Sequence, residues 1–203
     1  MIQLLAAPAL VTSVDERTDE ALLRAFVAGD GLAFEALVLR HGAAVKGYAV
    51  RMLQNAPQAE EVYVDTFHRV ATHAARWEPR GSVRGWIFTI AHRMCIDVIR
   101  QRKVARDAVP HLVDLHGART PTPSPEAHAL LREEAGRLEE ALARLPEEHR
   151  QVLLLRIVHG LSAAETGAAL GLREDQVNSA LSYARKRLRV LLEAPAARAG
   201  EGR

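Results

Sequence analysis

The chain is divided by a stretch that cannot hold a helix. Between Lys103 and Glu126 it reads VARDAVPHLVDLHGARTPTPSP, with prolines at 110, 121, 123 and 125. Proline lacks a backbone donor and fixes its own φ, so this run favours extended chain. On either side, apolar residues recur at three- and four-residue spacing, Ala and Leu are abundant, and strand-like alternation is absent. The pattern predicts an all-α fold of two small helical domains joined by a Pro-rich linker. The expected boundaries are a disordered extension at 1–17, a first domain at 18–104, a linker at 105–125, a second domain at 126–192 and a disordered tail at 193–203. A 203-residue chain with 48% hydrophobic residues can bury one or two ordinary cores.

Bulk properties exclude several classes. One cysteine, Cys95, allows no disulfide framework and points to a reducing, cytoplasmic compartment; its place on an apolar helix face makes it a small buried hydrophobe. No run reaches the roughly 18 to 20 apolar residues of a membrane span, so no membrane insertion is expected. The opening MIQLLAAPALVTSV lacks the basic residues of a signal peptide and reads as an extension or an early start codon. The nine histidines include no HxxxH pair, His111 and His116 stand isolated, and no glycine-rich phosphate loop occurs. Neither an enzyme nor a metal or other cofactor is therefore expected. With a pI near 9.0 but a net charge of only +2, any nucleic-acid binding must come from local patches.

In the first domain, Thr18 is the expected N-cap of a helix with Leu22, Leu23, Phe26 and Val27 inward, ended by Gly29-Asp30-Gly31. Phe34, Leu37, Val38, Val45, Tyr48 and Met52 mark a second helix that stops at Asn55-Ala56-Pro57. A third starts near Gln58, with Val62, Thr66, Phe67 and Val70 inward and Glu60, Glu61 and Asp65 on another face. Eight of the nine aromatic residues lie between Phe26 and Phe88, so this domain has the aromatic core.

The strongest patch is RWEPRGSVRGWIFTIAHRMCIDVIRQRK, residues 76–103, where seven cations face only Glu78 and Asp97. Ile87, Ile90, Ala91, Met94, Cys95 and Val98 form a buried helical stripe, while His92, Arg93, Asp97 and Arg100 occupy the opposite face. A basic loop with an aromatic, Trp77, suits single-stranded nucleic acid, whose unstacked bases rest on aromatic faces. Trp77 reads equally well as a core aromatic, and for Trp86 and Phe88 the core is the better reading.

On these residues (Arg-Gly-Ser, then Gly-Trp, Ile-Ala and Cys-Ile-Asp with a basic finish, together with the earlier Gly29-Asp30 and Ala33-Phe34-Glu35-Ala36-Leu37) the sequence resembles region 2 of bacterial sigma-70 factors of the extracytoplasmic-function group. The resemblance implies that Arg76, Trp77, Arg80, Ser82, Arg84, His92, Arg93 and Arg100 meet the -10 element of promoter DNA and help melt it. It also gives Glu60, Glu61, Asp65 and Phe67 a role in docking onto the largest subunits of core RNA polymerase. Without that resemblance the acids are a solvated face. Val83 stands where the family commonly has an aromatic, and His92-Arg93 where it has Arg-Asn.

In the second domain, Ser124-Pro125-Glu126 is an expected helix start, leading through Leu130, Leu131, Leu138, Ala141, Leu142 and Leu145. Pro146 restarts the chain as PEEHRQVLLLRIVHG, with Leu153, Leu154, Ile157 and Val158 in the core. Ser162-Ala-Ala-Glu165 is a capping box, its helix ends at Gly171, and another begins near Arg173 or Glu174. This spacing is a helix-turn-helix, with Ala168 permitting close approach and Val177 and Leu181 anchoring the second helix.

Here the runs LPEEHRQVLLLR, Gly-Leu-Ser and Ala-Arg-Lys-Arg-Leu-Arg resemble sigma region 4. The resemblance implies that Arg173, Glu174, Gln176, Asn178, Ser179, Ser182 and Tyr183 read the -35 element, with Arg185, Lys186 and Arg187 near phosphates. Asn178, Ala180 and Tyr183 stand where the family usually has cations. The two resemblances together imply a factor that binds core RNA polymerase, directs it to promoters and is restrained by an anti-sigma factor. A stand-alone repressor would use the helix-turn-helix alone and leave the acidic face and the Trp77 loop unused.

Overall fold

The computed structural model describes residues 15–79, 81–108 and 127–193, and all regular elements among them are helical. Helix α1 (Asp19–Val27) is capped by Thr18, whose side chain accepts from the Ala21 amide, and α2 (Gly31–Leu53) by Asp30, which accepts from Leu32 and Ala33. Gln54 adopts the left-handed conformation that ends α2. Helix α3 (Ala56–His73) starts two residues before the expected Gln58 because Asn55 supplies the cap and Pro57 fits the first turn. A single 3-10 turn (Ala74–Arg76) leads to α4 (Val83–Ala108), which runs five residues past Lys103.

The chain resumes in α5 (Ala127–Ala143), so the expected Ser124-Pro125-Glu126 start lies outside the described residues, as do the side chains of Leu130 and Leu131. After α6 (Glu147–Leu153), one wide π-type turn spans Leu154–Val158. Helix α7 (Ala163–Leu170) has the expected capping box, with both Ser162 and Glu165 bonds made, and ends at Gly171. Helix α8 (Glu174–Glu193) completes the helix-turn-helix.

Buried positions mostly follow the sequence periodicity. Leu22, Leu37, Val45, Tyr48, Ile87, Phe88, Ala91 and Cys95 are inaccessible, and burying one such large apolar side chain stabilises by about 1.5–3 kcal/mol. Four expectations are corrected. Val27 at the end of α1 is 50% exposed and Leu138 is 40% exposed. Ile157 and Val158 are 49% and 46% exposed, because the π turn adds a residue to the repeat: His159 bonds back to Leu154, five residues away, so Leu155 takes the inward place and the next pair swings out. Ala168 faces outward, and the close approach belongs to Gly167, where a Cβ would stand 2.5 Å from the Leu172 carbonyl.

The two helical groups, α1–α4 and α5–α8, meet chiefly where α7 packs on α4. His159, at the end of the π turn, is 4% exposed, with its ring 4.7 Å from Phe88 and 5.7 Å from Tyr48. Arg51 on α2 donates to Glu139 on α5 at 2.7 Å. Sequence periodicity shows each group; it contains nothing that shows this seam.

Candidate nucleic-acid interface

The basic loop and the start of α4 form one side of a cavity of about 590 Å³. Arg76, Trp77, Ser82, Trp86 and Thr89 line it from this side, and Ser162, Ala164, Glu165 and Ala168 close it from α7. Ser82 is the cap of α4: its hydroxyl accepts from the Gly85 amide at 2.9 Å and donates to the Glu165 carboxylate. Arg84 donates to the His159 carbonyl, and its guanidinium lies 6.0 Å from the centre of the Phe88 ring. Trp77 is half buried against the core and lines the cavity. Arg76, Arg93 and Arg100 are exposed. Arg80 lies outside the described residues.

His92 is a correction. It is 7% exposed, with Nδ1 2.9 Å from the Tyr48 hydroxyl, so it holds α4 to α2 and cannot face a polyanion. The helical period at 92 falls at the edge of the buried stripe, where polarity alone favours the outward place. Burial, with the charge of Arg93, pushes the His92 imidazole down to about 4.

The α3 acids do share an outer face. Glu60, Glu61 and Asp65 are exposed, beside Val64 at 55% exposure. Glu60 pairs with Lys46 at 2.5 Å, whereas Glu61 and Asp65 have no ion-pair partner among the described residues. Phe67 points inward as the helix period expects, which corrects the docking role implied by the resemblance: it is 6% exposed, in edge contact with Tyr63 at 5.4 Å and Phe34 at 6.4 Å, and has no face to offer a partner. Among the described residues no group of three acidic, histidine or cysteine side chains could hold a metal ion.

Helix α8 buries Val177, Leu181 and Ala184 and leaves Arg173, Glu174, Gln176, Asn178, Ser179, Ser182, Tyr183, Arg185, Lys186 and Arg187 exposed. Arg173 is tied to Asp175 at 2.9 Å, and its amide donates to the Gln176 side chain at 2.9 Å, so these two are engaged at the helix start. Tyr183 stacks on His149 with centroids 4.3 Å apart.

Two residues of this region escaped the sequence reading. Glu165 was legible as a cap, and it does cap α7, but it also reaches Ser82 across the seam. Burial alone would raise its carboxyl; hydrogen bonds from Ser82 and Ser162 and the charge of Arg84 outweigh that and hold it below the usual range. His159 carried no signal at all. Burial, then the charges of Arg51 and Arg84, push its imidazole down to about 4. Burial also pushes the Cys95 thiol up to about 12.

An all-α chain with a basic aromatic loop, an acidic helix and a separate helix-turn-helix has the make-up of a nucleic-acid-binding protein. Consistent with this, the profile of sigma-70 region 2 matches residues 37–104 and that of sigma-70 region 4 matches residues 135–188. The chain is 34% identical over 185 residues to the ECF RNA polymerase sigma factor RpoE of Cereibacter sphaeroides, covering 88% of this chain and 99% of that one. It is 32% identical over 167 residues to the ECF sigma factor SigL of Mycobacterium tuberculosis, covering 82% and 92%. Among solved structures, CnrH of Cupriavidus metallidurans in complex with the cytosolic domain of CnrY superposes with a TM-score of 0.66 at 26% identity, covering 88% of this chain and 99% of that one. The chain belongs to the extracytoplasmic-function group of the sigma-70 family. Such factors are not enzymes; they serve transcription by binding RNA polymerase and promoter DNA. No helix among the described residues is long and apolar enough to cross a membrane.

Proposed function

We propose that this factor docks on core RNA polymerase through the Glu61 and Asp65 face of α3, reads and melts the -10 element with the loop and outer face of α4, and reads the -35 element with α8. The proposed units are residues 18–104 for polymerase and -10 binding and 126–192 for -35 binding, with 105–125 as their connection. The observation that carries the reading is the pair of acids, Glu61 and Asp65, left exposed beside the exposed Val64 on α3. A factor that bound duplex DNA alone has no use for such a face. At the -10 side the working residues are Arg76, Trp77, Arg80, Ser82, Arg84, Arg93 and Arg100. At the -35 side Asn178 can offer a donor and an acceptor to one base edge, and Arg185, Lys186 and Arg187 supply phosphate contacts. A protein partner that restrains the factor, an anti-sigma factor, belongs to the same reading; the related CnrH was solved with the cytosolic domain of CnrY bound.

The test is a gel shift on promoter fragments selected with core polymerase. The protein alone should bind poorly and the mixture tightly, because polymerase aligns both DNA-reading units and makes the second contact intramolecular. Asp65→Lys should weaken the ternary complex by about 2–5 kcal/mol, the loss typical of breaking an interfacial charge pair. Its circular dichroism should stay unchanged, since an exposed helix acid contributes little to stability. Equal binding by protein alone, with Asp65→Lys inert, would establish a stand-alone DNA-binding regulator instead.

A further inference from the structure

Tyr183 is the one Phe, Trp or Tyr residue of the chain beyond Phe88, and it stands outside the packing that its helix provides. Val177, Leu181 and Ala184 fill the underside of α8, while Tyr183 is 52% exposed. One face of its ring is nevertheless covered. The His149 imidazole on α6 lies 4.3 Å away, centre to centre, with 31° between the planes, a tilted stack. His149 is itself closely held: its side chain is 18% exposed, its Nδ1 is buried without a hydrogen-bond partner, and the Glu148 carboxylate stands 3.8 Å off, beyond hydrogen-bond reach. Ring packing therefore orients the pair. It restricts the swing of an otherwise exposed phenol and leaves the hydroxyl without a partner among the described residues.

Tyr183 lies in the third turn of a helix that starts at Glu174, with Arg185, Lys186 and Arg187 exposed just after it. A recognition helix meets base edges with its N-terminal residues, so side chains further along meet the sugar-phosphate backbone. We infer that His149 is a positioning residue for promoter binding: stacked on Tyr183, it fixes the phenol so that the hydroxyl donates to a single phosphate of the -35 duplex. The inference rests on the proposed reading of the -35 element by α8. A ring already held in place meets DNA without the rotamer entropy that a free side chain loses on binding. A neutral donor also binds a phosphate without displacing a counterion. The contact adds affinity with neither salt dependence nor sequence preference, which sets it apart from Arg187 on the one hand and Asn178 on the other.

The test uses the full chain with core polymerase on a promoter fragment selected with the wild type. Tyr183→Phe and His149→Ala should each weaken the complex by about three- to tenfold, the effect of one neutral hydrogen bond. The double variant should be no weaker than Tyr183→Phe alone, since a hydroxyl that is absent needs no positioning. His149→Phe, which keeps a ring against the phenol, should bind like the wild type. In the free protein the His149 C2 proton should be shifted upfield by the phenol ring and lose that shift in Tyr183→Ala. Replacing the -35 phosphates one at a time by neutral methylphosphonates should find one position that weakens binding of the wild type and leaves that of Tyr183→Phe unchanged. Additive losses, weak binding by His149→Phe or the lack of such a phosphate overturns the inference and leaves His149 a packing residue. Arg187→Ala checks the underlying reading: it should lower the salt slope by about 0.9 counterion, whereas Tyr183→Phe should not. If Arg187→Ala lowers the slope while the His149 and Tyr183 variants bind like the wild type, only this inference falls. If Arg187→Ala changes neither affinity nor slope, α8 does not lie on the DNA, and the -35 reading falls together with the role of His149.

Discussion

The two candidate DNA surfaces differ in how they are kept. On α8 every proposed base- and phosphate-facing residue is exposed, and the helix is held from below by Val177, Leu181 and Ala184. At the start of α4 the corresponding donors are half covered, and the aromatic loop opens into a cavity whose far wall is α7. A duplex groove is always present to be read, so its reader can stand open. A surface for melted bases has no partner until the duplex is opened, and an exposed aromatic and basic site would otherwise take any single strand. On the proposed assignment of the two surfaces, the contrast teaches that cover follows the state of the DNA each is to read.

The comparison breaks most sharply at Gly167. With 2.5 Å between a Cβ there and the Leu172 carbonyl, Gly167→Ala must push the turn open, and overpacking of this sort costs about 1–3 kcal/mol. Calorimetry should show a lower Tm, and -35 binding should weaken while the cavity beside Trp77 is spared. A thermogram like that of the wild type would mean the turn has slack the structure does not show.

Next come single substitutions on each surface. Trp77→Ala should impair promoter opening, read by permanganate reactivity of the -10 thymines, by an amount equivalent to one stacked base, about 1–3 kcal/mol. Asn178→Lys should instead shift the -35 consensus in a randomised library without changing permanganate reactivity on a matched promoter. Crossed outcomes, with Trp77 altering the -35 choice, would undo the division of labour.

The covered surface should also respond to acid where the open one does not. His92 and His159 have folded values near 4, below the ordinary 6.5. The unfolded or opened chain therefore binds more protons between these values, and stability falls as pH drops from about 6.5 toward 4. Glu165, held low in the closed state, adds a loss of the same sign below its ordinary 4.5. A probe pair spanning α4 and α7 should separate across this window, while probes within the α7–α8 unit stay constant. The smallest expected effect is at Gly136, in the interior of α5 with nothing within 4 Å of its Cβ position. Gly136→Ala should stabilise by about 0.5–1 kcal/mol and leave both DNA surfaces unchanged.

Much of this was legible before any coordinates. Thr18 and the Ser162–Glu165 box gave helix starts because a cap is a local hydrogen bond between neighbours in sequence. The α8 face was legible because one helix period fixes which side is buried. Ile157 and Val158 went wrong because a π turn is a break in the very period on which the reading depends. His92 falls at the edge of the buried stripe, where polarity alone misplaces it, whereas the inward place of Phe67 was legible and only the docking role implied by the resemblance fails. The seam between α4 and α7 could not be read, since its members lie about 75 to 83 residues apart and each has an adequate local explanation.

Arg102 is one of the seven cations of the 76–103 patch, but it is spent inside the protein. Its guanidinium donates to the Leu53 carbonyl at 2.8 Å, at the end of α2, and to the Gln58 side chain at the start of α3. It closes the α2–α3 corner and cannot condense on a phosphate without opening it. Salt dependence reports displaced counterions, about 0.7 per phosphate neutralised on a single strand. Binding of melted -10 DNA should therefore fall less steeply with salt than seven formal charges suggest, and Arg102→Ala should leave that slope where it was while loosening the corner.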